Sequence, residues 1–542
     1  MKNLLLFSAL LLLNMPLWAN NVQISNVTYV AGTSPNTSYI QFDLSWENSW
    51  RLNTPPSNYD GVYVFFKVRN ANTGWMPVVF RNAGNTMASG FSITQFSAQH
   101  VGALIHRDAA NTGTGNCTLT GIQLGVEDLP VFNAEMKAFA LEMVNVPALG
   151  AASFCVGDSV GSQGSDYTLF STTPTPGIYY ANINSSDWSL IRTLPNSPID
   201  GYSFKLDGVY IKGDDSLGYW TTYSFPPFQQ YIAYNKYPTG GEMWCMKYEI
   251  TQGAYRDFLN MLAYNQQQLH TTNDPASASG TLALVPSGST YRNGIMIHTP
   301  SVNGLPAVYG CDLNGNGIPD EANDGEFVAC GWLNRDDINA WLWWAGLSPM
   351  TEIQYERIAR GHIGTTPILS AYNDYAWGDT NFVTTPYTLL NAGAANESIS
   401  TLNTTSANAL VGYNGLSFDG PVRNGIFATP SSNRQTSGSS LFGIMDLTGN
   451  LTEACVQLGD ASNSDYYDAR NFGAQNLYFV PTGILNMNGK SPINVELIQR
   501  GGAFSSPSSR CSISTRGDGP YTVIRTPTGG GRGVINPYLF NQ

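Results

Sequence analysis

Asp312, Asn314 and Asn316 stand at alternate positions in the stretch DLNGNGIPDE, followed by Gly317, Ile318 and Asp320. Oxygen-bearing side chains at every second position, then a glycine, then a residue whose carbonyl can turn inward, are the first nine positions of a calcium loop. A hard cation wants several oxygens, and the glycine at the sixth place permits the sharp turn that converges them. The twelfth place holds Asn323 instead of a two-oxygen glutamate, so the affinity expected is modest. Without metal the same stretch is an Asn/Gly turn. Cys311 and Cys330 flank the loop, and a disulfide between them would close it.

Thiols are the other residues that could do chemistry. There are seven cysteines, at 117, 155, 245, 311, 330, 455 and 511, with no CxxC pair. The five histidines, His100, His106, His270, His298 and His362, include no H-x-x-x-H pair. A zinc cage or an iron facial triad needs clustered His or Cys ligands, so both are disfavoured. Cys511 sits in RGGAFSSPSSRCSISTRG, where Arg500 to Arg510 carry no thiol.

The elements that must position these groups differ along the chain. Residues 1–19 read as an export signal: a basic Lys2, an apolar run from Leu4 to Leu13, and the small Ala19 at a cleavage point. Export makes disulfides expected, with one cysteine left over. No later segment is long and apolar enough to span a membrane. The net charge of −13 on 542 residues lacks the basic surface that nucleic acid requires and suits cations better. About 520 mature residues exceed what one core organises, so more than one domain is expected.

From 20 to 138 the period is two, as in SYIQFDLSW, where Ile40, Phe42, Leu44 and Trp46 alternate with polar residues. Short strands separated by loops predict an antiparallel β-sandwich. Residues 159–240 have weak periodicity and read as an insertion. Helices are predicted afterwards. ITQGAYRDFLNML carries Tyr255, Phe258, Leu259 and Leu262 on one face with Thr251 as N-cap. RDDINAWLWWAGL carries Ile338, Trp341, Leu342 and Ala345 on one face and ends at Gly346. TEIQYERIARG has a Thr351/Gln354 capping box and an i,i+4 Glu356/Arg360 pair. Few helices, many loops and short strands define an α+β class.

Six pieces in register resemble the formylglycine-generating enzyme, or sulfatase-modifying factor, family, whose fold is an elaborated C-type lectin scaffold. They are MVNVPALGAASFCVGD at 143–158, MKYEITQGAYRDFLN at 246–260 and WLNRDDINAWLWWAGLSPMTEIQYERIARG at 332–361. YAWGD at 375–379, LFGIMDLTGNLTEA at 441–454 and RGGAFSSPSSRCSISTR at 500–516 complete the set. The resemblance covers about 400 residues and implies a second domain at 139–542 with the insertion inside it.

The family's (N/D)-x-x-G-N-x-W-E segment supplies calcium oxygens. Here it reads DLTGNLTE, which implies Asp446 and Glu453 as carboxylate ligands and the carbonyls of Gly449 and Leu451 as the rest. Catalytically active members carry two cysteines about five residues apart after the paired glycines, and these hold copper while a substrate cysteine is oxidised to formylglycine. A soft cuprous ion held between two thiolates cannot be made from one sulfur and a hydroxyl. The matching loop, Ala503 to Ser509, has no thiol, and Cys511 falls in the family's following strand. The family's GNxWEW is GNLTEA here, with Thr452 and Ala454 where tryptophans stood, and its closing GFR is GRG at 531–533. Cys511 is thus expected to be structural, in a disulfide with Cys455 or buried as a small apolar group. Copper is not expected.

The function expected is that of an exported, calcium-stabilised, non-catalytic binding or surface-structural protein. Its partner would be a protein or glycan, chosen by the loops at 159–240 and 503–532, with membership of a surface assembly as one form of this role. Trp343, Trp344 and Trp377 are candidates for stacking on sugar, although tryptophans beside other apolar residues more often belong to a core. The alternative is a formylglycine-generating oxidase acting on sulfatase-type cysteines.

Overall fold

The computed structural model describes residues 21–69, 74–95, 101–129, 135–148, 241–363, 366–367, 374–412, 418–456, 482–492, 497–515 and 521–535, with five short strands between 154 and 212. The expected export signal and most of the 159–240 stretch lie outside these residues.

Eight strands open the chain: β1 (Gln23–Val30), β2 (Tyr39–Arg51), β3 (Asp60–Arg69), β4 (Met76–Pro77), β5 (Phe91–Gln95), β6 (Ala103–Arg107), β7 (Gly113–Gly125) and β8 (Glu135–Val146). The alternation in β2 buries Ile40, Phe42, Leu44 and Trp46 on one face, as expected for a half-buried strand. These side chains come from a three-stranded sheet ordered β1-β2-β7. They pack on Val62, Val64, Phe66, Ala103 and Ile105 of a second sheet, and Leu119, Ile122 and Leu124 of β7 join them. Two antiparallel sheets facing one apolar layer form a sandwich.

The second sheet does not end with the sandwich. Strand Met243–Met246 pairs with β8, Met243 opposite Val146, and strand Val534–Ile535 pairs on its other side. The residue 138 expected as a domain boundary falls inside β8, so chain from both sides of it shares one seven-stranded sheet. β3 shows why. Its Val62, Val64 and Phe66 face the sandwich core, while Tyr63 and Phe65 face a second core that includes Phe258, Trp341 and Trp344. A strand buried on both faces reads as a continuous apolar run, GVYVFFKV, and not as an alternation.

Four helices occur among the described residues: α1 (Gln252–Leu259), α2 (Tyr264–His270), α3 (Arg335–Ala345) and α4 (Glu352–Arg360). The Thr251 hydroxyl accepts from the Ala254 N–H at the start of α1. Gly346 closes α3 at φ 79, in the left-handed region. The predicted Thr351/Gln354 box opens α4 with both bonds made, and Arg360 Nη1 lies 2.7 Å from Glu356 Oε2. α2 was not expected, because YNQQQLH has no apolar period. Its inward face is polar: Gln267 Nε2 donates to the carbonyls of Leu259 and Ala307, and Gln267 Oε1 accepts the Ala307 N–H. The remaining chain is loops and two- or three-stranded sheets, so the class is α+β and mostly β. One of these small sheets, Met350–Thr351 with Glu453–Val456 and Leu497–Arg500, carries residues of two candidate sites.

Candidate functional sites

The loop from Asp312 to Asp324 begins where strand Val308–Cys311 ends. Asp312 Oδ1 accepts the Asn316 N–H at 3.1 Å and Oδ2 accepts the Gly317 N–H at 3.0 Å. Asn314 Oδ1 takes the Asn316 N–H at 2.9 Å, and Asn316 Oδ1 takes the Ile318 N–H at 2.7 Å. Gly315 and Gly317 adopt φ 71 and 85, conformations that glycine reaches without a Cβ penalty. The structure thus gathers Asp312, Asn314, Asn316 and the Ile318 backbone into one turn. Asp320 departs from that turn. Its Oδ1 accepts from the Cys311 N–H at 2.9 Å and from Arg256 Nη1 at 2.6 Å, on the side of the strand and α1. A residue the sequence argument passed over, Asp324, is buried, and its Oδ1 has no hydrogen-bond partner. Its Oδ2 accepts the Glu321 N–H at 2.7 Å. Burial raises the Asp324 carboxyl above the usual carboxylate range, and Asp312, Glu321 and Asp320 push it the same way.

The segment Asp446–Glu453 lies at the opposite extreme, fully inside the protein. Gly449, at φ 82, touches the backbone of Leu410: a Cβ there would stand 2.3 Å from the Leu410 carbonyl. Asp446 Oδ2 accepts the Gly425 N–H at 2.7 Å. Glu453 is clamped by Arg532, whose Nε lies 2.5 Å from Glu453 Oε1. Arg532 also donates to the Lys247 carbonyl at 3.0 Å. A third buried acid, Glu249, joins them, accepting from the Leu451 N–H at 2.9 Å and from Asn450 Nδ2. Burial raises Asp446, Glu249 and Glu453, while Arg532 opposes the rise at each. Of the acids expected to hold calcium here, Glu453 already pairs with a cation of the chain's own. With the guanidinium on Glu453, the segment does not fit a metal ion in this arrangement, although Glu453 Oε2 is buried without a partner. Among the described residues, no three His, Cys, Asp or Glu side chains converge in a metal-holding geometry.

The Cys511 loop is built on Arg500, which crosses to α4 and places Nη2 3.0 Å from Glu356 Oε1. The two glycines that follow are required by contact. A Cβ at Gly501 would stand 2.5 Å from the Leu447 carbonyl, and one at Gly502 would stand 2.4 Å from Cys511 Sγ. Beyond them the loop folds onto itself. The Ser506 hydroxyl accepts the Ala503 N–H at 3.0 Å, the Ser506 N–H donates to the Ala503 carbonyl, and the Gly412 N–H donates to the Ser506 carbonyl. Cys511 is buried among Tyr375, Trp377, Ala407, Ala409 and Val411, and its Sγ faces the carbonyls of Pro507 and Ser506 at 3.6 and 3.8 Å.

The expected disulfides are corrected by the structure. Cys311, Cys330, Cys455 and Cys511 are all buried and none is in a disulfide. Cys455 packs with Val144, Met350 and Tyr355, in a core distinct from that of Cys511. Cys330 Sγ turns toward the Gly331 carbonyl at 3.6 Å. Burial pushes the thiols of Cys311 and Cys330 up and that of Cys245 to about 12, which suits small apolar groups. Trp343, Trp344 and Trp377 are likewise core residues. The Trp343 indole N–H donates to the Ile484 carbonyl at 2.9 Å, and Trp377 stacks on Tyr375 with ring centroids 4.8 Å apart.

Sequence reasoning missed Glu249, Arg532 and Asp324 as site residues. GRG at 531–533 was noted only as a departure from a pattern. A lone arginine between glycines carries no period that would assign it a partner 79 positions away. No family model matches this chain, and no curated protein matches it.

Proposed function

We propose that the chain is an exported, non-catalytic binding or surface-structural protein whose sulfatase-modifying-factor-like domain has lost copper chemistry and keeps calcium at the 312–324 loop. The observation that carries this reading is the environment of Cys511. A copper oxidase of that family needs two thiolates facing a substrate cysteine. The loop here offers the Ser506 hydroxyl, already bonded to the Ala503 N–H, and its one nearby sulfur is buried against two carbonyls. A thiol in such a place is a packing group, and a carbonyl cannot replace a soft donor.

The acidic balance, the closed core around the tryptophans and the many glycine- and asparagine-rich loops favour recognition by loops over turnover in a cleft. Its partner would be a protein or a glycan, met in the periplasm, at the cell surface or outside the cell. Purified full-length protein is expected to take up no stoichiometric cuprous ion and to leave a sulfatase-type cysteine peptide unoxidised in air. Copper held at one equivalent, together with formylglycine in the peptide by mass spectrometry, would overturn the proposal in favour of the oxidase.

A further inference from the structure

We infer that Asp324, and not Asp320, is the second carboxylate ligand of a calcium ion held by the 312–324 loop, and that Asp320 serves instead as the loop's anchor to α1. This rests on the proposal that the loop binds calcium, and it assigns that site a ligand set the residue spacing does not give.

Three observations carry it. Asp324 is 1% exposed, and its Oδ1 is buried with no hydrogen-bond donor, a costly arrangement that a cation at the loop would relieve. Its Oδ2 accepts the Glu321 N–H at 2.7 Å, so the carboxylate is turned toward the loop that Asp312 opens. The backbone brings them together directly, because the Leu313 N–H donates to the Asp324 carbonyl at 3.2 Å.

Asp320, by contrast, is committed elsewhere. Its Oδ1 holds the Cys311 N–H and Arg256 Nη1, and a Cβ on Gly310 would meet its Oδ2 at 3.2 Å, so both oxygens face the strand. Its backbone is left-handed, at φ 65, which turns the chain so that the next residues return toward Asp312. Arg256 belongs to α1 and also pairs with Asp257 and Glu326. Calcium would then draw on Asp312, Asn314, Asn316, the Ile318 carbonyl and Asp324: two carboxylates and three neutral oxygens, with water completing the six to eight that calcium takes. Two charged ligands fit a site of modest affinity.

The test is calcium binding by full-length protein, measured by titration calorimetry in a calcium-free buffer, for wild type, D312N, D320N and D324N, each checked for a folded circular dichroism spectrum. D312N and D324N are expected to weaken binding by about tenfold or more, and D320N to leave it within about threefold while lowering Tm. If D320N abolishes binding and D324N does not, calcium binding stands and the ligand assignment is overturned. If wild type binds no calcium, or D312N binds as wild type does, the loop is not the site and both fall. Should D324N not fold, a crystal structure of the calcium-loaded wild type decides. Asp324 Oδ1 at about 2.4 Å from the ion supports the assignment, and Asp320 at that distance overturns it.

Discussion

The 312–324 loop and the 446–453 segment are both short acidic stretches in which glycine adjoins asparagine, and the structure treats them in opposite ways. In the first, backbone N–H groups satisfy the loop's oxygens one by one near the surface, and a single buried carboxylate oxygen is left over. In the second, Arg532 pairs with buried Glu453 and opposes the charge of buried Glu249 and Asp446, and the counter-charge is covalently part of the chain. Position explains the difference. A surface turn can recruit a cation from solvent, whereas an acid in the core must be neutralised as the chain folds, since desolvating a lone carboxylate costs several kcal/mol. An arginine supplied from 79 positions further along the chain does this at any calcium concentration.

The largest effect should come from breaking the interior site. R532M removes the cation and leaves Glu453 buried beside Asp446 and Glu249, so about 3–5 kcal/mol of stability should be lost in urea unfolding. Adding E453Q to R532M should recover more than half of that loss. A loss under about 1 kcal/mol for R532M alone would show that the guanidinium does not neutralise this cluster.

The surface loop should respond to solution conditions instead. Calcium at about a hundred times its Kd should stabilise the protein by about 2.7 kcal/mol, and chelation should lower Tm accordingly. R532M should still show this calcium-dependent rise if the two sites are independent. A Tm unmoved by chelation in wild type would remove calcium from the account.

The smallest effect sharpens the contrast with a third acid, Asp60, which is held by hydrogen bonds from Ser49 Oγ, the Trp50 N–H and the Trp46 indole, with no arginine on it. Burial pushes its carboxyl up to about 6, against the opposing effect of Lys247. The folded state therefore binds this proton more tightly than the unfolded state, where the carboxyl titrates near 4. Its contribution is most favourable below pH 4 and is lost as pH rises through 6. D60N should remove about 2 kcal/mol of that decline between pH 4 and 7, read as a flatter difference curve against wild type. An unchanged slope would mean that Asp60 stays ionised throughout.

Much of the local structure was legible in the residues. The Thr251, Thr351/Gln354 and Gly346 caps lie where the helix ends are, because a cap is a bond between residues three or four apart. The Asp312–Gly317 turn was legible for the same reason. α2 was not, since glutamines have no apolar period and its stability comes from Gln267 and His270 meeting groups far along the chain. His270 Nδ1 lies 3.0 Å from Asp337 Oδ1, and its Nε2 lies 2.7 Å from the Gly489 carbonyl. The cysteines misled because export and spacing speak for disulfides, while only packing shows Cys455 and Cys511 in separate cores.

By itself the sequence determined the sandwich alternation, the capped helices, the absence of a thiol pair after the paired glycines and the turn that starts at Asp312. Each is set by residues within a few positions of one another, where backbone geometry leaves few choices. The tertiary structure alone decided that one sheet runs through both halves of the chain, that Arg532 meets Glu453, and that Asp320 turns to α1 while Asp324 turns inward. Those outcomes depend on which groups lose water together, and burial is a property of the assembled core that no short stretch contains.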